Sequence, residues 1–330
     1  MSTMAMKIGV HVGSMTHSME DLLRIYRMAD EAGLYWVSVS DHLYANPLTT
    51  PSTRQVPCFE GISTMAAVAA ATRRVRVGSM MICVPFRHPA LLAKAVVSID
   101  HLSGGRVELG VGAGWFAEEF EEFGFPFPPV GQRFDMLEEA LQILRSMFSD
   151  PVTNFQGRHY QVRGAICAPK PLQEHLPIWV GGHGPRRTPR VAARYADGFN
   201  TPYLDPPDCR ARLEELDRAC EQIGRDPRTL QRTVNVHFLM GADADAIARG
   251  RERYAAMPDS HRRGALLGGT QEAIDRIGQY RAVGAQGLNI AFRPPVDWDA
   301  YQCFLEDVAP VFAGERRAAR PASATEEEKP

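Results

Sequence analysis

Short apolar runs alternate along this chain with segments whose apolar residues recur at helical spacing. The apolar runs are Lys7–Val12, Tyr35–Ser40, Val75–Met81, Arg106–Val111, Pro177–Gly181, Gly198–Pro202, Thr233–Met240 and Gly287–Phe292. Each reads as a buried strand. Between them, Met19–Ala32, Gly61–Thr72, Pro89–Leu102, Gly131–Phe148, Pro185–Tyr195, Asp208–Ile223 and Thr270–Val283 read as amphipathic helices. A last helix is expected near Trp298–Phe312. Strand and helix in strict alternation predict an α/β fold with a parallel sheet, here a (β/α)₈ TIM barrel.

The turn residues agree with that reading. Ser103-Gly104-Gly105 supplies the left-handed residues that close a helix, and Gly33, Gly224 and Gly284 stand at equivalent places. Thr270 is expected to be an N-cap. Two stretches exceed a minimal barrel. Trp115–Pro129 follows the fourth strand and is rich in Phe, Glu and Pro. Thr153–Pro171 follows the fourth helix and reads as a hairpin around Gly157. Residues 315–330 are Ala-, Glu- and Pro-rich and are expected to be disordered. Residues 1–314 are then one domain, because a single barrel runs to about 250 residues before insertions.

Composition narrows the function. The formal net charge is −2 and the pI about 6.6, with no basic stripe of the nucleic-acid kind. Arg186, Arg187 and Arg190 form the densest basic cluster, enough for one phosphate group. The six cysteines are scattered without a CxxC pair, and the histidines form no HxxxH or HExxH pattern. Reduced thiols and no metal site are expected. No run resembles a signal peptide or a membrane span, so a cytoplasmic protein that avoids membranes is expected.

Barrel active sites lie at the C-terminal ends of the strands. The second strand ends in Ser40-Asp41-His42-Leu43-Tyr44, where an imidazole can exchange a proton near neutral pH. The competing reading is a loop histidine that only caps the barrel. The third strand carries Met80, Met81, Cys83 and Phe86, which composition alone reads as core. The fourth ends in Gly110-Val111-Gly112-Ala113-Gly114-Trp115. Alternate glycines there allow close approach of a planar ligand or of another backbone. The fifth ends in Gly181-Gly182-His183-Gly184-Pro185-Arg186-Arg187. Free N–H groups before a helix opening at Pro185 would bind an anion, with the two arginines beside it. Leu267-Gly268-Gly269-Thr270 is a rival loop and reads as a helix cap.

Taken in order, Ser-Asp-His, Pro-Phe-Arg-His-Pro, Leu-Ser-Gly-Gly-Arg leading into Gly-Val-Gly-Ala-Gly-Trp, Trp-Val-Gly-Gly-His-Gly and Ala-Asp-Gly-Phe-Asn resemble the bacterial luciferase-like superfamily. Within it, the chain is most similar to the branch using the deazaflavin coenzyme F-420. The likeness runs from about Met6 to Gly314. It implies that Asp41 and His42 sit at the deazaflavin ring, with His42 the proton donor or acceptor. It implies that Met80–Met81 is a bulge with a non-prolyl cis peptide backing the ring, and that Cys83 contacts the cofactor. Gly181, Gly182, His183 and Gly184 match the phosphate-binding loop. Gly114 and Trp115 would touch the cofactor, and Trp115, Tyr44 and Phe86 would shape the substrate pocket. One departure stands out. Where the sugar-phosphate dehydrogenases of this branch carry a catalytic Glu and a Trp, this chain has Trp115 and Asn46. A less polar substrate is therefore expected. The rival readings are an FMN-dependent monooxygenase with a separate reductase and oxygen, and a barrel that binds a ligand without catalysis. Dimers are common in this superfamily, so a homodimer is the oligomer the resemblance implies.

Overall fold

The computed structural model describes residues 5–13, 15–45, 54–258 and 262–313. Strands β1 (Lys7–Val12), β2 (Trp36–Val39), β3 (Arg76–Ser79), β4 (Ile82–Cys83) and β5 (Val107–Gly112) come first. A separate antiparallel hairpin, β6 (Thr153–Gln156) and β7 (Gln161–Ala165), follows. Then come β8 (Ile178–Gly181), β9 (Gly198–Pro202), β10 (Gln231–Met240), β11 (Ala265–Gly268) and β12 (Gly287–Ala291). Parallel pairing runs β1-β2-β3-β5-β8-β9-β10-β12 and returns to β1, which closes an eight-stranded (β/α)₈ barrel.

The intervening helices are α1 (Met19–Glu31), α2 (Gly61–Ala71), α3 (Pro89–Ser103), α4 (Ala117–Glu122) and α5 (Val130–Ser149). They continue as α6 (Arg187–Tyr195), α7 (Pro206–Glu221), α8 (Ala244–Ala255), α9 (Thr270–Ala282) and α10 (Trp298–Cys303). The expected alternation is therefore present, and so is the hairpin after the fourth large helix. Its turn is anchored by Glu139 of α5, whose carboxylate accepts the N–H groups of Arg158, His159 and Tyr160 at 2.8–2.9 Å. Residues 315–330 lie outside the described residues. No helix among the described residues is long and apolar enough to cross a membrane.

Among the elements not anticipated are α4, α8 and β11. The buried side of α8 consists of Ala246 and Gly250, so it shows no apolar stripe. β11 pairs only with the C-terminal half of β10. One cap differs from expectation. Gly269, not Thr270, is the N-cap of α9, and its N–H donates to Glu272 Oε2 at 2.9 Å. A Cβ on Gly268 would run into that same carboxylate, so this loop is a helix cap.

The barrel floor is plugged by two indoles. Trp36 and Trp179 lie 5.4 Å apart between ring centroids, both almost fully buried. They fit because glycines face them. A Cβ would come within 2.0 Å of Trp36 from Gly9 and within 2.2 Å of Trp179 from Gly198. Above the indoles lies a polar layer. Asn200 Nδ2 donates to Thr233 Oγ1 at 2.9 Å and to Asn235 Oδ1 at 3.1 Å, and Asn289 Nδ2 donates to Asn235 Oδ1 at 2.9 Å. These buried amides satisfy one another, which removes the cost of desolvating them. The floor is thus rigid and closed, and the mouth above it is open.

Candidate active site

The mouth holds a cavity of about 640 Å³, walled by the C-terminal ends of the strands. Its back is the exit from β3. Gly78 faces Glu108 on β5, but Ile82 faces Val111, so the chain gains one residue between them. That extra residue is a β-bulge. The Met80–Met81 peptide within it is cis, as the resemblance implied. Met81 then lies across the glycine-rich strand ends. A Cβ on Gly110 would stand 2.6 Å from Met81 Sδ, and one on Gly181 2.5 Å from Met81 Cε. The glycines of these strands thus make room for the bulge, at Gly110 for its backbone, since a Cβ there would stand 2.0 Å from Ser79 O, and at Gly181 for the Met81 side chain. Gly114 adopts φ +76°, with Phe120 and Cys83 packed where a Cβ would be. Cys83 lines the cavity, and burial pushes its thiol well above the ordinary range.

Asp41 and His42 leave β2 side by side but face different partners. The resemblance set Asp41 against the cofactor ring. Asp41 does line the cavity, and its buried carboxylate accepts Arg87 Nη1 at 2.5 Å, Arg87 Nη2 at 2.9 Å and the Cys83 N–H at 2.8 Å. It therefore ties the β2 exit to the β3 exit. Burial holds the Asp41 carboxyl above its ordinary range, against the opposing pull of the Arg87 guanidinium. His42 keeps 19% of its side-chain surface exposed and reaches the cavity. Its Nδ1 lies 3.0 Å from both carboxylate oxygens of Glu119 on α4. Glu119 is 2% exposed and also accepts the N–H groups of Leu43 and Tyr44, at 2.8 and 2.9 Å.

The insertion after β5 packs its aromatic rings on Phe86 from the β3 exit. Phe120 meets Phe86 at 4.7 Å and Phe127 at 4.8 Å, and Phe125 meets Phe86 at 5.1 Å. Trp115 stacks on Phe116 at 5.4 Å and presents an edge-on contact to His42 at 5.6 Å. Trp115 and Phe86 line the cavity, as expected of pocket residues. Tyr44 does not. Its ring packs on Phe123 at 5.1 Å, because the Glu119 carboxylate holds the Tyr44 backbone against the outside of α4.

The loop after β8 departs from expectation in one respect. Gly181, Gly182, His183 and Gly184 line the cavity, and Gly182 has φ +143°, which favours glycine. The helix, however, opens at Arg187 with Arg186 as N-cap, two residues after Pro185. That shift turns both arginines outward. Arg186 and Arg187 are exposed and do not line the cavity, and Arg187 Nη1 donates to Gly131 O at 3.0 Å. Thr188 takes their place beside the glycines.

The far wall was not singled out from sequence. His11 on β1 pairs its Nδ1 with Ser38 Oγ at 3.0 Å. Burial, then Arg293 and His42, lower its pKa from 6.5 to about 4, so the ring is neutral. His237 on β10 stacks on Tyr203 at 4.3 Å, and Arg293 follows β12 into the cavity. The available signal was position alone, since all three lie toward or just past the C-terminal ends of barrel strands.

The closed parallel barrel is a fold this chain shares with luciferase-like enzymes. The model of the luciferase-like monooxygenase family matches residues 3–287, and the chain belongs to that family. Luciferase-like monooxygenases and F-420-dependent dehydrogenases are oxidoreductases. An uncharacterized protein of Mycobacterium tuberculosis is 32% identical over 187 residues, which span 53% of this chain and 65% of that protein. An F-420-dependent glucose-6-phosphate dehydrogenase of Microbacterium testaceum is 29% identical over 246 residues, 74% of this chain and 71% of that enzyme. Among solved structures, an F-420-dependent secondary alcohol dehydrogenase superposes with a TM-score of 0.80 at 21% identity. That match covers 93% of this chain and 99% of the other. A long-chain alkane monooxygenase reaches a TM-score of 0.80 at 13% identity, covering 98% and 94%. At these identities the two structures speak for the fold alone.

Proposed function

We propose that this protein is a coenzyme F-420-dependent oxidoreductase acting on a small, weakly polar organic substrate. The observation that carries the reading is one cavity in which the bulge at Met80–Met81 backs a space bordered by His42. The names of the relatives support the cofactor assignment. The residues present fit a deazaflavin. Met80, Met81 and Cys83 offer a flat, largely apolar backing, and Gly181–Gly184 with Thr188 offer a small-residue cradle for a phosphate. A cavity of about 640 Å³ suits a cofactor ring with a small substrate.

Coenzyme F-420, when bound, supplies or accepts a hydride at C5 of its ring. The chain orients the partners and handles the proton. His42 stands where it can give a proton to a substrate oxygen or take one from it. Trp115 and Phe116 wall the space beside His42, where the resemblance implies an acid in sugar-phosphate dehydrogenases. An apolar wall there favours ketones, alcohols or enones over sugar phosphates. Asn46, the second departure from those enzymes, lies outside the described residues.

The test is a pair of titrations of the purified full chain, one with oxidised coenzyme F-420 and one with FMN. Tight binding of the deazaflavin, and much weaker binding of FMN, is the expected result. The second reading, an FMN-dependent monooxygenase using a separate reductase and oxygen, is favoured by the family's own description. It takes over if the protein purifies yellow with FMN and ignores the deazaflavin. Absence of redox chemistry with either cofactor would leave a ligand-binding barrel.

A further inference from the structure

We infer that Glu119 is a positioning residue that holds the His42 ring with its proton on Nδ1 and its Nε2 turned to the cavity; the inference rests on the proposed proton-exchange role of His42. The geometry is specific. One buried carboxylate collects three groups from the β2 exit, namely His42 Nδ1, the Leu43 N–H and the Tyr44 N–H. Among the described residues its one ion-pair partner is His42. An ionised carboxylate only accepts hydrogen bonds, so Nδ1 must be the donor. In a neutral imidazole the other nitrogen then carries the lone pair. Glu119 thereby selects the tautomer whose free nitrogen is Nε2.

The consequence for chemistry is directional. When an alcohol is oxidised, its hydroxyl proton passes to Nε2 while the carbon-bound hydrogen leaves as hydride to the coenzyme. The alcohol loses one proton and one hydride and becomes a carbonyl. In reduction the proton returns from Nε2–H to the carbonyl oxygen. The reverse tautomer would present a filled N–H to an alcohol and could not accept its proton.

The residue comes from an insertion that a bare barrel does not need. Glu119 sits between Phe116 and Phe120, 5% and 1% exposed, and the Phe86, Phe125 and Phe127 rings fix the segment from below. The insertion thus supplies both the wall beside the substrate and the group that aims the histidine.

The deciding measurement is nitrogen-15 NMR of imidazole-labelled full chain at alkaline pH, with the His42 signal identified by its loss in His42→Gln. Protonated Nδ1 and bare Nε2 are expected. Protonated Nε2 with bare Nδ1 would overturn the inference, whatever happens in any variant. Kinetics add a second arm, using reduced coenzyme F-420 with acetone and 2-cyclohexen-1-one as probe acceptors. Glu119→Gln should lower kcat at least about 10-fold, by analogy with other buried acids that hold a catalytic histidine. KM and coenzyme affinity should stay within about threefold. The double variant Glu119→Gln/His42→Ala should be no slower than His42→Ala, since a residue acting through His42 has nothing left to act on. Additive losses would mean that Glu119 works elsewhere. Full activity in His42→Ala would instead remove the role of His42, while the tautomer result would stand independently.

Discussion

His42 and His11 share one cavity and are held in opposite ways. The first is exposed in part and bound to a carboxylate; the second is buried and made neutral. Replacing His42 by Ala should therefore lower turnover by about 10²–10⁴-fold if it is the general acid or base. Coenzyme F-420 affinity should hardly change, and unaltered steady-state turnover would remove His42 from the mechanism. His11 gives a prediction about stability. Its pKa is about 4 in the folded chain against 6.5 for the unfolded one, a value lowered first by burial and then by Arg293 and His42. The unfolded chain therefore takes up a proton that the folded chain refuses. The stability tied to this group is whole above about pH 6.5 and is lost as pH falls toward 4, by about 1.4 kcal/mol per pH unit. Denaturant melts of wild type and His11→Gln over that range should differ in slope by this one proton, and parallel curves would contradict it. Legibility at this scale followed locality. His42, Cys83 and Trp115 stand at strand ends and could be found by counting along the chain. Glu119 lies 77 residues from His42, and only the fold brings the two together.

At the scale of elements, the strands were readable because each is a compact apolar run, and β1 and β9 fall on the expected residues. α8 was not readable, because Ala and Gly bury its face without an apolar rhythm. α6 starts two residues later than the sequence predicts, which leaves Arg186 and Arg187 at the surface rather than in the cavity. Of the loop after β8, the glycines and Thr188 still face the cavity. Gly182→Val tests their role. A Cβ there meets nothing nearer than Thr188 at 3.8 Å, so no wall collision is expected. The φ of +143° does oppose a β-branched residue, at roughly 1–3 kcal/mol of strain. A modest fall in melting temperature should accompany a larger fall in coenzyme affinity per folded molecule. Intact affinity in the folded fraction would mean that the glycines serve only the turn.

The molecule as a whole divides its labour between a sealed floor and an adaptable mouth. The paired indoles and the asparagine layer make the barrel rigid below the cavity. The bulge, the insertion and the loops above it line the cavity. We expect this mouth to support hydride transfer between a deazaflavin and a carbon centre, without oxygen. The most direct test uses coenzyme F-420 reduced with deuterium at C5, mixed anaerobically with the full chain and a panel of ketones, enones and aldehydes. The expected result is product carrying one deuterium at the reduced carbon, formed at a rate that His42→Ala suppresses. It would be contradicted by no deuterium transfer across the panel together with oxygenated product from FMN, a flavin reductase and oxygen.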